Sequence, residues 1–131
     1  MIVVDASALL EVLLCTPAAQ TLERRLFHEP KETLHAPHLL DVEVAQVLRR
    51  YAAAREIDGT RGAAALADLA DFPIRRYPHD LLLTRVWDLR NNFTAYDAVY
   101  VALAEALDAA LLTRDKRLAA AARNYVRIEL V

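Results

Sequence analysis

Four acidic residues of this chain stand at positions where their carboxylates could act together: Asp5, Glu43, Asp97 and Asp115. The first directly follows a β-branched run, and the last follows a short apolar stretch. Glu43 and Asp97 instead interrupt apolar stripes of helical spacing, where an unpaired buried charge would be costly. An Arg or Lys partner, or a divalent cation bound by oxygen ligands, would remove that cost.

The chemistry that such a set favours is metal binding. An all-oxygen ligand set suits the hard cations Mg²⁺ and Mn²⁺ and argues against zinc. We expect Asp5 and Asp97 to be the principal ligands, with Glu43 and Asp115 completing the site directly or through water. One or two such ions could lower the pKa of a bound water and so activate it as a nucleophile. Taken singly, Asp5, Asp97 and Asp115 could also be plain features of helix starts.

Hydroxyl and basic residues accompany the acids. Ser7 could orient Asp5 or a metal-bound water, or it could bond backbone amides at a helix start, and Thr113 has the same two interpretations. Three basic residues flank Asp115 and could contact phosphates or could form a solvated helix face: Arg114, Lys116 and Arg117.

Composition limits the classes of protein. The 131 residues carry 16 Lys and Arg against 18 Asp and Glu, and this balance argues against a broadly basic coat for nucleic acid. Only two glycines occur, which excludes Gly-rich phosphate loops, and the single Cys15 excludes thiolate zinc sites. We expect Cys15 to be a small core residue. We expect a cytoplasmic protein without a membrane segment. Surface or partly packed positions are expected for His28, His35, His38 and His79.

The elements that must position the acids alternate between strand and helix, which predicts an α/β fold with a central parallel sheet flanked by helices. Strands are expected at 2–4, 33–36, 73–78, 109–113 and 125–131. Helices are expected at 6–14, 17–27, 39–55, 62–71, 79–90, 94–107 and 115–122. In such a sheet functional groups gather at the carboxyl ends of the strands. Connectivity therefore predicts that all four acids reach one edge.

Three segments carry a resemblance to a known family. VVDASALLEVLL, NNFTAYDAVYVALAEAL and LLTRDKRL, with an acid in the third helix, together resemble PIN-domain ribonucleases of the VapC toxin type. The resemblance implies one PIN-like domain over residues 1–131 with strand order 3-2-1-4-5. It also implies metal-dependent cleavage of transfer or ribosomal RNA, a homodimer, and a small VapB-type antitoxin that blocks the active site. The apolar stretch 8–14 is the expected partner-contacting surface, although core burial alone would also explain it.

Competing functions are judged by the residues that they require. A phosphoacceptor receiver domain needs a second acid beside Asp5 and a lysine after a late strand, and the chain has only Lys31 and Lys116. A haloacid-dehalogenase-like phosphatase would need an aspartate where Ser7 stands. A non-catalytic RNA-binding or interaction module with structural acids remains an open alternative.

Overall fold

A five-stranded parallel sheet forms the centre of the computed structural model, which describes residues 1–28 and 32–131. The order across the sheet is β3-β2-β1-β4-β5, and every neighbouring pair is parallel. This arrangement confirms the α/β class and the expected strand order. The strands are β1 (Ile2–Val4), β2 (Leu34–Pro37), β3 (Ile74–Tyr77), β4 (Ala110–Thr113) and β5 (Ile128–Leu130).

Seven helices flank the sheet in the described part of the chain. A 3₁₀ turn at Asp80–Leu82 precedes the fifth of them. Four helices begin at a side chain that accepts a hydrogen bond from a backbone amide of the first turn, as N-caps do: Asp5, Asp58, Thr94 and Asp115. The helices are α1 (Ala6–Leu13), α2 (Ala19–Phe27), α3 (Leu39–Ala53), α4 (Gly59–Asp71), α5 (Leu83–Asp88), α6 (Ala95–Leu107) and α7 (Lys116–Ala122).

The second strand differs from its predicted bounds by including a proline. Pro37 is the last residue of β2 and lies opposite Tyr77 of β3. A proline cannot donate to the ladder, but at a strand end the next amide can take over. Here the amide of His38 donates to the carbonyl of Tyr77 at 2.8 Å. The predicted strand 33–36 is therefore shifted by one residue.

Other boundaries also moved. Pro17 lies in a turn before α2 rather than in its first helical turn. The segment 79–90 is broken, because a 3₁₀ turn comes before the short helix α5. The last strand is shorter than the predicted 125–131. These errors lie at element ends, where local preferences are weakest.

The core is built on α6, which packs against β1, β2 and β4. Residues 98–104 of this helix are buried without interruption. A helix that is apolar on nearly every side is expected where a sheet and neighbouring helices cover it. In the described residues, no helix has the length and apolar character needed to cross a membrane.

Three packing expectations need correction. The apolar side chains of 8–14 are largely buried within the chain, so α1 does not present the free apolar surface expected for a partner. Cys15 is exposed, with a left-handed φ of 52°, because α1 ends just before it. His35 is 3% exposed and is satisfied by the hydroxyls of Thr33 and Tyr77 at 2.7 and 2.8 Å.

Candidate active site

A cleft of about 690 Å³ opens at the carboxyl edge of the sheet, and all four predicted acids line it. Asp5 follows β1, and Asp115 follows the adjacent strand β4. Glu43 lies in the second turn of α3, the helix that comes after β2, and Asp97 lies in the first turn of α6. Parallel strands place their carboxyl ends together, so four distant segments meet here.

Asp5 is the most enclosed of the four, with 5% of its surface exposed. Its Oδ1 accepts hydrogen bonds from the Ser7 hydroxyl at 2.7 Å and from the Ala8 amide at 3.0 Å. Its Oδ2 accepts one from the Thr113 hydroxyl at 2.5 Å. Asp5 is therefore a helix cap and a fixed member of the cleft at once.

The two predicted supporting hydroxyls both touch Asp5, and both also bond backbone amides. Ser7 Oγ accepts from the amide of Arg114, and Thr113 Oγ1 accepts from the amide of Asp115, each at 2.9 Å. The two interpretations of these hydroxyls are thus realised together. Through Ser7 and Thr113, the end of β4 and the residues after it are held to Asp5 and the first turn of α1.

Glu43 is held by a residue that was not among the predicted site residues. The hydroxyl of Tyr100 donates to Glu43 Oε2 at 2.5 Å, and Tyr100 is only 2% exposed. Its only signal in the sequence was its position three residues after Asp97 on the inward face of the same helix. No sequence spacing indicates a contact between residues 57 positions apart.

Burial and mutual repulsion disfavour negative charge in the cleft. Burial is the largest cause that raises the pKa of Asp5, Glu43 and Asp97. The charge of Asp115 raises the pKa of Asp5 and of Asp97 further, and Asp5 and Asp97 do the same to Glu43. Hydrogen bonds from Thr113, Ser7 and Tyr100 offset part of this cost. A cation in the cleft would offset the remaining cost of keeping these carboxylates negatively charged.

The donor set suits a hard divalent cation, since every predicted ligand offers carboxylate oxygens. As the side chains stand, however, no three Asp, Glu, His or Cys groups of residues 1–28 and 32–131 are arranged as a ready metal site. Asp115 uses its Oδ1 to cap α7 through the amides of Arg117 and Leu118. The chemistry of the donors therefore fits a metal, while closer convergence of the carboxylates would have to accompany binding.

The three predicted basic residues differ in their position relative to the cleft. Arg114 lines the cleft, where its Nε pairs with Glu11 Oε1 at 3.2 Å. Lys116 and Arg117 are exposed on α7, and the charge of Arg117 lowers the pKa of Asp97. Glu11 was missed as a cleft residue, although it is the single charge within the apolar α1.

The order of the parallel sheet and the cleft at its edge, lined by carboxylates from four segments, together give the fold and the site by which this chain can be classified. Residues 2–124 match the PIN domain family, and the chain belongs to this family, in its VapC group. Ribonuclease VapC1 of Mycobacterium tuberculosis is 46% identical over 130 residues, which cover 98% of this chain and 96% of that protein.

Solved structures agree on the fold. PAE2754 from Pyrobaculum aerophilum has a TM-score of 0.69 and 26% sequence identity, over 97% of this chain and 81% of that one. VapBC2 from Rickettsia felis, bound to a DNA fragment from their promoter, has a TM-score of 0.69 and 11% identity, over 99% and 98% of the two chains. The second likeness concerns the fold alone.

The raised carboxyl pKa values predict a pH dependence of stability in the absence of metal. Between the ordinary carboxyl pKa and the raised one, the folded chain binds more protons than the unfolded chain, so the free energy of unfolding falls as the pH rises. We expect Asp97→Asn to have little effect near pH 4 and to raise stability at pH 7, as measured by urea unfolding with a chelator. Asp68→Asn, at an exposed position of α4 outside the cleft, is the control. If Asp97→Asn were no more stable than the wild-type chain at pH 7, burial and repulsion of the Asp97 charge could not be the cause of the pH dependence.

Proposed function

We propose that this chain is the toxin of a toxin–antitoxin module and acts as a metal-dependent endoribonuclease. The observation that carries the proposal is the convergence of four carboxylates, from α3, α6 and the ends of β1 and β4, on one cleft that disfavours uncompensated negative charge. The relatives named ribonucleases, at 40–47% identity over most of the chain, support the same activity. The single domain over 1–131 and the cytoplasmic location also remain predictions.

Asp5 and Asp97 would be the principal holders of Mg²⁺ or Mn²⁺, with Glu43 and Asp115 completing the site. Ser7 and Thr113 keep the Asp5 carboxylate in place by their hydrogen bonds. When bound, the ion supplies an activated water and charge neutralisation at the leaving oxygen of the phosphodiester.

Electrostatics also governs how an RNA could approach this cleft. The chain has a formal charge of −2, and two divalent ions would bring it to +2. Arg114 lies on the cleft wall and is the best placed of the three basic residues to contact a phosphate. Transfer RNA and ribosomal RNA are both candidate targets, because no residue that the structure describes selects between them.

Cleavage should depend on both metal and Asp97. We expect the purified chain to cut total RNA at discrete positions with Mg²⁺ or Mn²⁺, and to lose at least about a hundredfold in rate with chelator or as Asp97→Asn, since ligand loss removes the water activation. Mapping of new RNA ends is the measurement. Asp68→Asn, outside the cleft, should cut normally.

A second candidate function has specific support. Asp5 and Asp115 do cap helices, as acids of a non-catalytic RNA-binding or interaction module would. Calorimetric titration with Mn²⁺ separates the two candidates. Absence of both cutting and Mn²⁺ binding by the wild-type chain would favour the structural-acid alternative, whereas metal binding that Asp97→Asn leaves unchanged would reject Asp97 as a ligand.

Contact with phosphates predicts a salt dependence. We expect Arg114→Gln with Arg117→Gln, in an Asp97→Asn background that does not cut, to flatten the slope of log affinity for RNA against log salt by about 0.7 per lost contact. Fluorescence anisotropy at several salt concentrations measures the slope. Arg123→Gln, just past the other end of α7, is the matched control. An unchanged slope in the double variant would show that Arg114 and Arg117 do not contact phosphates and belong to a solvated surface.

The antitoxin would bind across the cleft rather than on α1, whose apolar side chains are buried. Val42 and Tyr96 line the cleft and are 67% and 64% exposed, so they offer an apolar wall to an amphipathic segment. We expect the product of the adjacent open reading frame to copurify with this chain, and Val42→Asp to weaken that capture, as assayed by co-expression. Leu66→Asp, on α4, is the control; equal capture by both variants would place the partner elsewhere.

The homodimer is part of the same proposal. Three exposed apolar side chains lie along the 3₁₀ turn and α5 and give this segment a surface suited to a second copy: Leu81, Leu83 and Trp87.

A further inference from the structure

The contact between Tyr100 and Glu43 joins the two helices that carry candidate ligands away from the strand ends. Tyr100 stands on α6, one turn after Asp97, while Glu43 stands on α3. Both Tyr100 and Glu43 line the cleft, and their oxygens are 2.5 Å apart. One hydrogen bond therefore connects the carboxylate of α3 to the helix that carries Asp97.

The position of the Tyr100 hydroxyl is set by packing. Its ring belongs to the buried core, and α6 is held against β1, β2 and β4. A buried hydroxyl needs a partner, since leaving it unsatisfied costs roughly 1–3 kcal/mol. Among residues 1–28 and 32–131, the partner that the structure gives this hydroxyl is Glu43. The rigid core therefore dictates where one oxygen of Glu43 lies.

Glu43 needs such a constraint more than an ordinary surface glutamate. Its side chain has several rotatable bonds, it is only partly buried, and the charges of Asp5 and Asp97 repel it. Free of the hydroxyl, the carboxylate would gain by turning away from the cleft toward water. A hydrogen bond from a neutral donor to a carboxylate is strengthened by the charge and leaves that charge intact for a cation.

We propose that Tyr100 is a positioning residue that holds the Glu43 carboxylate in the cleft as a ligand of the divalent cation. The inference rests on the proposed metal-dependent function and adds a residue to it. Tyr100 itself touches neither metal nor RNA in this account. Its effect passes entirely through Glu43.

A double-mutant cycle tests this route. We expect Tyr100→Phe to weaken Mn²⁺ binding about tenfold in calorimetry, the size typical of lost partners of metal ligands. In a Glu43→Gln background the same substitution should cause no further loss. Tyr77→Phe, which removes a hydroxyl bonded to His35 outside the cleft, is the matched control and should bind Mn²⁺ normally.

The outcomes are distinguishable. Unchanged Mn²⁺ affinity in Tyr100→Phe, or losses that simply add in the double variant, would overturn the positioning role while leaving the metal site intact. A wild-type chain that binds no Mn²⁺ would overturn both this inference and the proposed function.

A measurement that does not need Tyr100→Phe covers the case in which that variant fails to fold. The buried hydroxyl proton of Tyr100 should give a downfield proton resonance that persists when Mg²⁺ is added and disappears or shifts in Glu43→Gln. Loss of that resonance on addition of Mg²⁺ to the wild-type chain would mean that Glu43 leaves Tyr100 when metal binds, and would overturn the proposal.

Discussion

The burial of the Asp5 carboxylate is the constraint on which the cleft depends. Asp5 directly follows the central strand and caps α1, and its oxygens accept hydrogen bonds from Ser7, Ala8 and Thr113. These bonds tie the end of β1 to the end of β4, its neighbour in the sheet. The loop that carries Asp115 is thereby fixed beside Asp5. Losing the carboxylate would leave the buried hydroxyl of Thr113, the partly buried hydroxyl of Ser7 and the amide of Ala8 to find other partners.

The fold tolerates an arrangement that stability alone would not favour. Three carboxylates in the cleft have a raised pKa, so each opposes folding at neutral pH. The opposing gain comes from the apolar sheet and from α6, whose residues 98–104 are all buried. Functional sites are often less stable than their surroundings for this reason. The acids are thus better explained by a ligand than by their own contacts.

Much of this architecture could be predicted from the sequence, because it follows from pattern and connectivity. Short apolar runs that alternate with helices specify a parallel sheet, and the sheet brings Asp5 and Asp115 to one edge. The site residues that were missed and the wrong prediction of burial for Cys15 depend on contacts and turns that only the three-dimensional structure shows. Tyr100 and Glu11 have partners that are distant in sequence, so no spacing reveals them. Cys15 continues an apolar helical pattern, and only the left-handed turn at the end of α1 exposes it.

The groups that donate hydrogen bonds to Asp5 and Glu43 support cation binding more strongly than does the mere presence of four acids. The sequence allowed an arginine or lysine as the partner that neutralises Glu43. Its partner is instead the neutral Tyr100, and Asp5 is bonded by neutral hydroxyls and an amide. The nearby guanidinium of Arg114 is paired with Glu11 instead. Among the described residues, no ion pair involves any of the four acids. Neutral donors orient a carboxylate without cancelling its charge, and an oriented, uncancelled carboxylate is what a divalent ion requires.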